Sequence, residues 1–226
     1  MGYVKKKILK NKNIFLVLFP IISYIVTMKT DQALKLVGGL SRPSKIPGWC
    51  YGLPAAECKT GSKLQKVKGS TCSNCYALKG CYVFKVVQAA QYRRLKSIKN
   101  PGWVAAMAFL INSKKSKYFR WHDSGDVQDL DHLNKIFEVC ELTPGVKHWL
   151  PTREAWTQEH VKRAPKNLVV RFSMPMIDQA PAGAWPNTST VVTTAATCPA
   201  PQQDNACGDC RACWDPKVKN IAYGEH

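Results

Sequence analysis

Between residues 118 and 194 the chain alternates short apolar runs with helical stretches, and this alternation limits the fold more than any other feature. Residues 118–122 read as a strand. Residues 130–140 read as a helix with Leu133, Ile136, Phe137 and Cys140 on one side. A strand follows over 147–150, a helix over 155–163, a strand over 167–173 around Leu168-Val169-Val170, and another strand over 190–194. Repeats of this kind give parallel strands joined by crossover helices. Four to six strands fit, fewer than the eight of a closed barrel. The expected class is therefore α/β. A partial (β/α) barrel with a parallel sheet is the first choice, and an open doubly wound sheet is the second.

The flanking segments differ from this core. Residues 28–71 read as loop and turn, with Gly38-Gly39, Pro43, Pro47-Gly48 and Gly61. Residues 82–112 read as helical, with Val86, Ala89 and Ala90 as an apolar face and Arg93, Arg94 and Lys96 as a basic one. Pro101-Gly102 breaks that stretch, and an apolar helix resumes over 103–111. Residues 1–27 begin with Lys5, Lys6, Lys7, Lys10 and Lys12 and continue into an apolar run from Ile14 to Thr27. Basic followed by apolar is the order of a signal or anchor. Pro20 interrupts the run, which falls short of the ~20 residues a spanning helix needs, and no small-residue cleavage site follows. The preferred reading is that translation starts at Met28; a true anchor or signal is the alternative. A membrane association is not expected unless residues 1–27 are a real anchor. The division is thus an extension over 1–27, an α/β core over 28–197 and a cysteine-rich tail over 198–226.

The chain holds 10 cysteines, most of them in two groups. In a reducing cytoplasm, clustered cysteines read as metal ligands rather than disulfides. The first group is Cys58, Cys72, Cys75 and Cys81, with Cys50 in reserve. Its centre, Cys72-Ser73-Asn74-Cys75-Tyr76-Ala77, is a C-x-x-C turn that points two thiolates at one metal, with flanking amides able to bond to sulfur. The expected occupant is an iron–sulfur cluster, with zinc or a metal-free buried pair as alternatives. If only three cysteines ligate, one iron stays open to a small molecule. The second group, Cys198-Pro199 followed by Cys207, Cys210 and Cys213, has the spacing C-P-x7-C-x2-C-x2-C. Three cysteines each three apart suit three corners of a cubane, and a remote Cys-Pro commonly supplies the fourth. Structural zinc more often takes two separated C-x-x-C pairs. A [4Fe–4S] cluster is therefore expected there, with zinc as the alternative and Trp214 in its wall.

Polar residues follow three of the strands. Phe119-Arg120-Trp121-His122-Asp123-Ser124-Gly125-Asp126 closes the first, Pro151-Thr152-Arg153-Glu154 the second, and Arg171-Phe172-Ser173 the third. In open α/β sheets and barrels that edge is where ligands bind. His122, Asp123, Asp126 and Arg153 are the candidate catalytic residues. Asp126 as a helix cap and His122 as a core histidine are the plainer readings. Arg153 and Arg171 suit a carboxylate or phosphate; intramolecular pairing is their alternative. No Walker loop, G-x-G-x-x-G or serine-hydrolase elbow is present. Lys and Arg outnumber Asp and Glu 33 to 15, a formal charge of +18. Such a surplus favours a polyanion partner, a nucleotide or nucleic acid, through residues such as Lys63, Lys66, Lys68, Arg93 and Arg94.

Cys72-Ser73-Asn74-Cys75-Tyr76-Ala77, Arg120-Trp121-His122-Asp123-Ser124-Gly125-Asp126, Pro151-Thr152-Arg153-Glu154 and the cysteine-rich tail together resemble the bacteriophage gene-product-88-like proteins. They are more distantly similar to phage proteins described as radical-SAM-like. That likeness implies a partial (β/α) barrel with a cluster in the loop after the first strand. It also implies an open iron that takes the amino and carboxylate groups of S-adenosylmethionine. Gly125 and Asp126 would then lie near the methionine amino group, and Arg153 and Ser173 near the carboxylate or ribose, with Ser124 and Arg171 also on the cofactor side. The usual C-x3-C-x2-C spacing is absent. Cys58 lies well before Cys72, and Cys81 beyond Cys75.

Two functions follow as expectations. One is a radical-SAM-like iron–sulfur enzyme acting on a nucleotide or nucleic acid in the host cytoplasm. The other is a nucleic-acid-binding protein whose zinc or iron–sulfur centres only staple the fold.

Overall fold

The computed structural model describes residues 28–225; the readings for residues 1–27 fall outside the described residues. Six strands form one sheet: β1 (Trp49–Tyr51), β2 (Tyr118–Trp121), β3 (Lys147–Thr152), β4 (Leu168–Ile177), β5 (Thr188–Val192) and β6 (Asn220–Gly224). All neighbours are parallel, and the order across the sheet is the order along the chain. A doubly wound sheet reverses direction at a switch point. This one never reverses, so the α/β parallel expectation holds and the doubly wound alternative does not.

The described helices are α1 (Thr30–Val37), α2 (Lys59–Leu64), α3 (Lys85–Ser97), α4 (Trp103–Ser113) and α5 (Leu130–Leu142). Strand residues alternate between faces. Tyr51, Phe119, Trp121, Leu150, Val170, Phe172 and Met174 point to one face and join the main core with α1, α4 and α5. Helix α4 is apolar all round and buries Trp103, Val104, Ala106, Met107, Leu110 and Ile111 because it lies between α1 and α5. Each large apolar side chain buried this way contributes about 1.5–3 kcal/mol. Helix α5 is amphipathic, and the Asp129 side chain caps it by accepting the His132 amide at 2.8 Å. The Tyr51 hydroxyl ties β1 to the helices. It lies 2.7 Å from the Val37 carbonyl and accepts the Trp103 indole N–H at 3.1 Å.

The opposite face carries Cys50, Arg120, Trp149, Arg171, Ile221 and Tyr223, and the cysteine-rich segment packs on it. Trp214 anchors that segment. Its indole N–H donates to the Phe119 carbonyl at 2.9 Å, and its ring meets Tyr118 and Trp149 edge-on at 5.4 and 5.3 Å. The segment then ends in β6, a strand of the same sheet.

Several sequence expectations are corrected here. The stretch 28–71 is not all loop. It contains α1, β1 and α2, elements of three to eight residues that are too short to show a period. Helix α3 turns the other way from its reading: Val86 is exposed, whereas Gln91 and Arg94 are buried. Arg94 goes inward because its guanidinium donates to the Gly39 and Gly52 carbonyls, both at 3.2 Å. Gln91 donates to Ser124 Oγ at 2.8 Å. Ala155–Arg163 is a 3₁₀ run rather than an α-helix. The strand expected over 190–194 spans Thr188–Val192, and Thr193 and Thr194 lie just beyond it. No described helix is long and apolar enough to cross a membrane.

Candidate functional site

The loop after β1 lies along the C-terminal edge of the sheet, and its cysteines sit there because neighbouring strand ends hold it. Cys58 follows the 3₁₀ turn Ala55–Glu57 and precedes α2. Glu154, just past β3, is buried, and its carboxylate accepts the Thr60 amide at 2.9 Å, the Thr60 hydroxyl at 3.0 Å and the Trp156 indole N–H at 3.1 Å. Farther along, the Thr71 amide donates to the Pro175 carbonyl at 2.9 Å, and the Ile177 amide to the Gly69 carbonyl at 3.0 Å. The chain on either side of α2 is thus fastened to β3 and β4. Gly61 in α2 lies between two of the sulfurs. A side chain there would come within 3.6 Å of Cys58 Sγ and 3.7 Å of Cys72 Sγ, and 2.9 Å of Cys58 Cβ. The glycine keeps the space between the two thiols clear.

Cys58, Cys72 and Cys75 lie within electrostatic reach of one another, and Cys58 and Cys72 also of Asp126 and Arg153. Burial pushes the Cys58 thiol up, and the Asp126 carboxylate and the neighbouring thiols add to this. Burial also raises Cys72, with Arg153 opposing it. Asp126 is buried. One oxygen accepts the Val127 amide at 2.7 Å, and the other accepts the Arg153 amide at 2.8 Å. Burial outweighs these bonds and pushes its carboxyl up to about 6. The Arg153 guanidinium donates to the Thr71 hydroxyl, Nε at 3.0 Å and Nη2 more closely. Two strand-end residues, Asp126 after β2 and Arg153 after β3, thereby meet the cysteine loop.

The other strand-end candidates lie elsewhere. His122 is buried with a positive φ of 56°; its Nδ1 lies 3.2 Å from the Tyr51 carbonyl and its ring meets His132 at 5.2 Å. Burial holds its imidazole well below the usual range, so it is a neutral core group. Ser124 Oγ donates to the Leu53 carbonyl at 2.7 Å. Gly125 has φ +76°, and a Cβ there would stand 2.5 Å from Leu53 Cβ. Asp123 accepts the Tyr82 hydroxyl at 3.2 Å, its backbone carbonyl accepts the Tyr76 hydroxyl, and its carboxylate faces the Cys50 thiol. Arg171 is fully buried, and its guanidinium donates to the carbonyls of Thr188, Val218, Lys219, Ala212 and Asp215 at 2.9–3.4 Å. Its Nη donors are spent on β5 and the tail rather than turned to the edge. Ser173 accepts from Ser189 Oγ at 3.1 Å. Cys81 is exposed on the 3₁₀ turn Gly80–Val83. Asp126 is not a helix cap; Asp129 takes that place.

In the tail, Cys207 lies within electrostatic reach of Cys198 and Cys210, and Cys213 within reach of Cys207. Burial raises Cys207 and pushes Cys213 up to about 11. Cys213 Sγ is 3.2 Å from the Tyr223 hydroxyl. All ten cysteines are free thiols. Among the described residues no three cysteine, histidine or carboxylate groups converge tightly enough to hold a single metal ion. A polynuclear cluster spaces its thiolates more widely than a single ion does. The cleared gap at Gly61 and the all-thiol donor sets fit such a group.

Three residues gain a place that the motifs alone did not assign, Glu154, Thr71 and Arg120, whereas Cys50, the reserve ligand of the first group, faces Asp123. Glu154 and Arg120 stood inside the quoted motifs, so the signal was present without a role. Thr71 and Cys50 acquire neighbours only through the fold. No curated protein and no solved structure matches the chain. The family model for gene product 88 matches residues 26–216. The chain belongs to the gene product 88 family.

Proposed function

We propose that this chain is an iron–sulfur protein with two centres, one held by Cys58, Cys72 and Cys75 and the other by Cys198, Cys207, Cys210 and Cys213. The observation that carries the reading is the first group. Cys58 and Cys72 from the loop after β1, with Cys75 in reach of both, lie within electrostatic reach of Asp126 and Arg153 from the ends of β2 and β3. In this reading the sequential parallel sheet curves into a partial (β/α) barrel with the tail on its inner face. The tail centre has four thiols and is closed, so it is structural or relays electrons. The first has three and leaves one side open toward Asp126 and Arg153, which makes the chain a radical-SAM-like enzyme acting on a nucleotide or nucleic acid in the host cytoplasm. S-adenosylmethionine, when bound at that open side, supplies the radical chemistry. Asp126, raised to about 6, holds or accepts a proton near neutral pH, and Arg153 offers its remaining N–H donors to a carboxylate.

Anaerobic purification tests the proposal. The protein is expected to be brown, with iron and sulfide and broad visible absorption. Cys72→Ser with Cys75→Ser should remove about half of the iron, and Cys207→Ser with Cys210→Ser the other half. Colourless protein with stoichiometric zinc and no iron overturns the reading in favour of structural zinc. If the protein is brown, reduced samples mixed with S-adenosylmethionine should release 5′-deoxyadenosine. No release, with no change in the cluster's EPR signal, removes the enzyme part and leaves the centres.

A further inference from the structure

The tail face of the sheet contains two guanidinium groups with no carboxylate at ion-pair distance among the described residues. Arg171 has no exposed surface. All its bonds run to neutral backbone carbonyls, and its Nε is buried without a partner. Arg120, from the same face of β2, lies with its guanidinium 4.5 Å over the Trp149 ring. Its one hydrogen bond is a long contact of 3.5 Å to the Tyr76 hydroxyl, and its Nε is also buried without a partner. Among the described residues no carboxylate comes within ion-pair distance of either arginine. Burying charge without a counter-charge is costly, and evolved cores supply one.

From beyond ion-pair distance Asp123 acts on Arg120 and Asp215 on Arg171, and the tail thiols lie in the field of the same two guanidinium groups. Arg120 acts electrostatically on Cys207 and Cys213, and Arg171 on Cys213. Trp149, beneath Arg120, packs against Trp214, the residue after Cys213. We propose that Arg120 and Arg171 are the built-in counter-charges of an anionic centre held by the tail cysteines. On this view the face is designed for a loaded, negatively charged tetrathiolate. Arg120 is a positioning residue that favours the more reduced, more negative state. This rests on the reading that the tail binds an iron–sulfur cluster.

Arg120 is the group to test, because Arg171 also holds the backbone of the tail. The full chain carrying Cys72→Ser and Cys75→Ser isolates the tail centre, whose midpoint potential is measured by redox titration. Arg120→Gln should make reduction harder by about tenfold in the equilibrium constant, which is about 59 mV more negative for one electron. Arg120→Lys keeps the charge and should stay near the parent. An unchanged potential in Arg120→Gln, or an equal shift in Arg120→Lys, overturns the proposal. A second measurement covers the case in which Arg120→Gln folds poorly when loaded. In Cys207→Ser with Cys210→Ser, which lacks the tail centre, Arg120→Gln should leave the thermal midpoint unchanged or raise it, because the charge has lost its partner. A drop there shows that Arg120 is structural and overturns the idea. Absence of iron from the parent is a different failure, that of the cluster reading itself.

Discussion

Gly125 shows how a residue can be functional by letting others approach. It lies between Ser124 and Asp126, has φ +76°, and faces Leu53 where a Cβ would stand 2.5 Å from Leu53 Cβ. An alanine here carries both the left-handed backbone cost and an overpacking cost, together about 2–4 kcal/mol. Chemical denaturation of Gly125→Ala should show that loss. The neighbouring motif residues divide by the groups they touch. Asp126 turns toward the Cys58 loop, whereas His122 turns into the core against His132. From sequence alone the whole run from Arg120 to Asp126 reads as a site. The parting of its side chains follows from a turn in which His122 and Gly125 both take positive φ.

At the scale of elements, one carboxylate braces the start of the first cysteine loop. Glu154 satisfies three donors, two of them on Thr60, two residues from Cys58. Glu154→Ala leaves those donors unpaired, at a cost of about 2–4 kcal/mol. The local consequence is the sharper test. On the proposed iron–sulfur reading, Glu154→Ala should lose the iron of the Cys58 loop on chelator challenge and keep that of the tail. The motif Pro151-Thr152-Arg153-Glu154 was legible in the sequence, and so was its place at a strand end. That its glutamate braces another loop was not, because the pairing of residues 94 apart is a property of the sheet. Helix α3 illustrates the same limit. Its apolar side chains suggested an inward face, yet bonds from Gln91 and Arg94 to backbone and hydroxyl acceptors turn the polar face inward.

For the whole molecule, acid should be destabilising well above the usual carboxylate range. Burial lowers His132 and His148 to about 3, and holds His122 well below its ordinary value. All three lie in the aromatic layer with Trp103, Trp121 and Phe119. Their folded-state values are depressed, so below about 6.5 the unfolded chain takes up protons that the folded chain refuses. Stability is full above that pH and is lost as pH falls from about 6.5 towards 3, by roughly 1.4 kcal/mol per pH unit for each histidine. Denaturation midpoints measured across that window should fall, and His148→Phe should make the fall less steep. A flat profile would show that these imidazoles stay solvated.

The sequence by itself determined the α/β class and the parallel sense of the sheet, because strand–helix alternation is a local pattern. Family membership rests on residues that are likewise legible in the chain. Only the tertiary structure decided that the tail lies on the sheet face opposite the helices and ends as the sixth strand. It also decided that Asp126 and Arg153 meet the Cys58, Cys72 and Cys75 loop, and that Arg120 and Arg171 come to the tail face with no carboxylate at ion-pair distance among the described residues. Those outcomes depend on strand register and on which face each alternate residue takes, and contacts between residues so far apart in the chain leave no mark in local composition or periodicity.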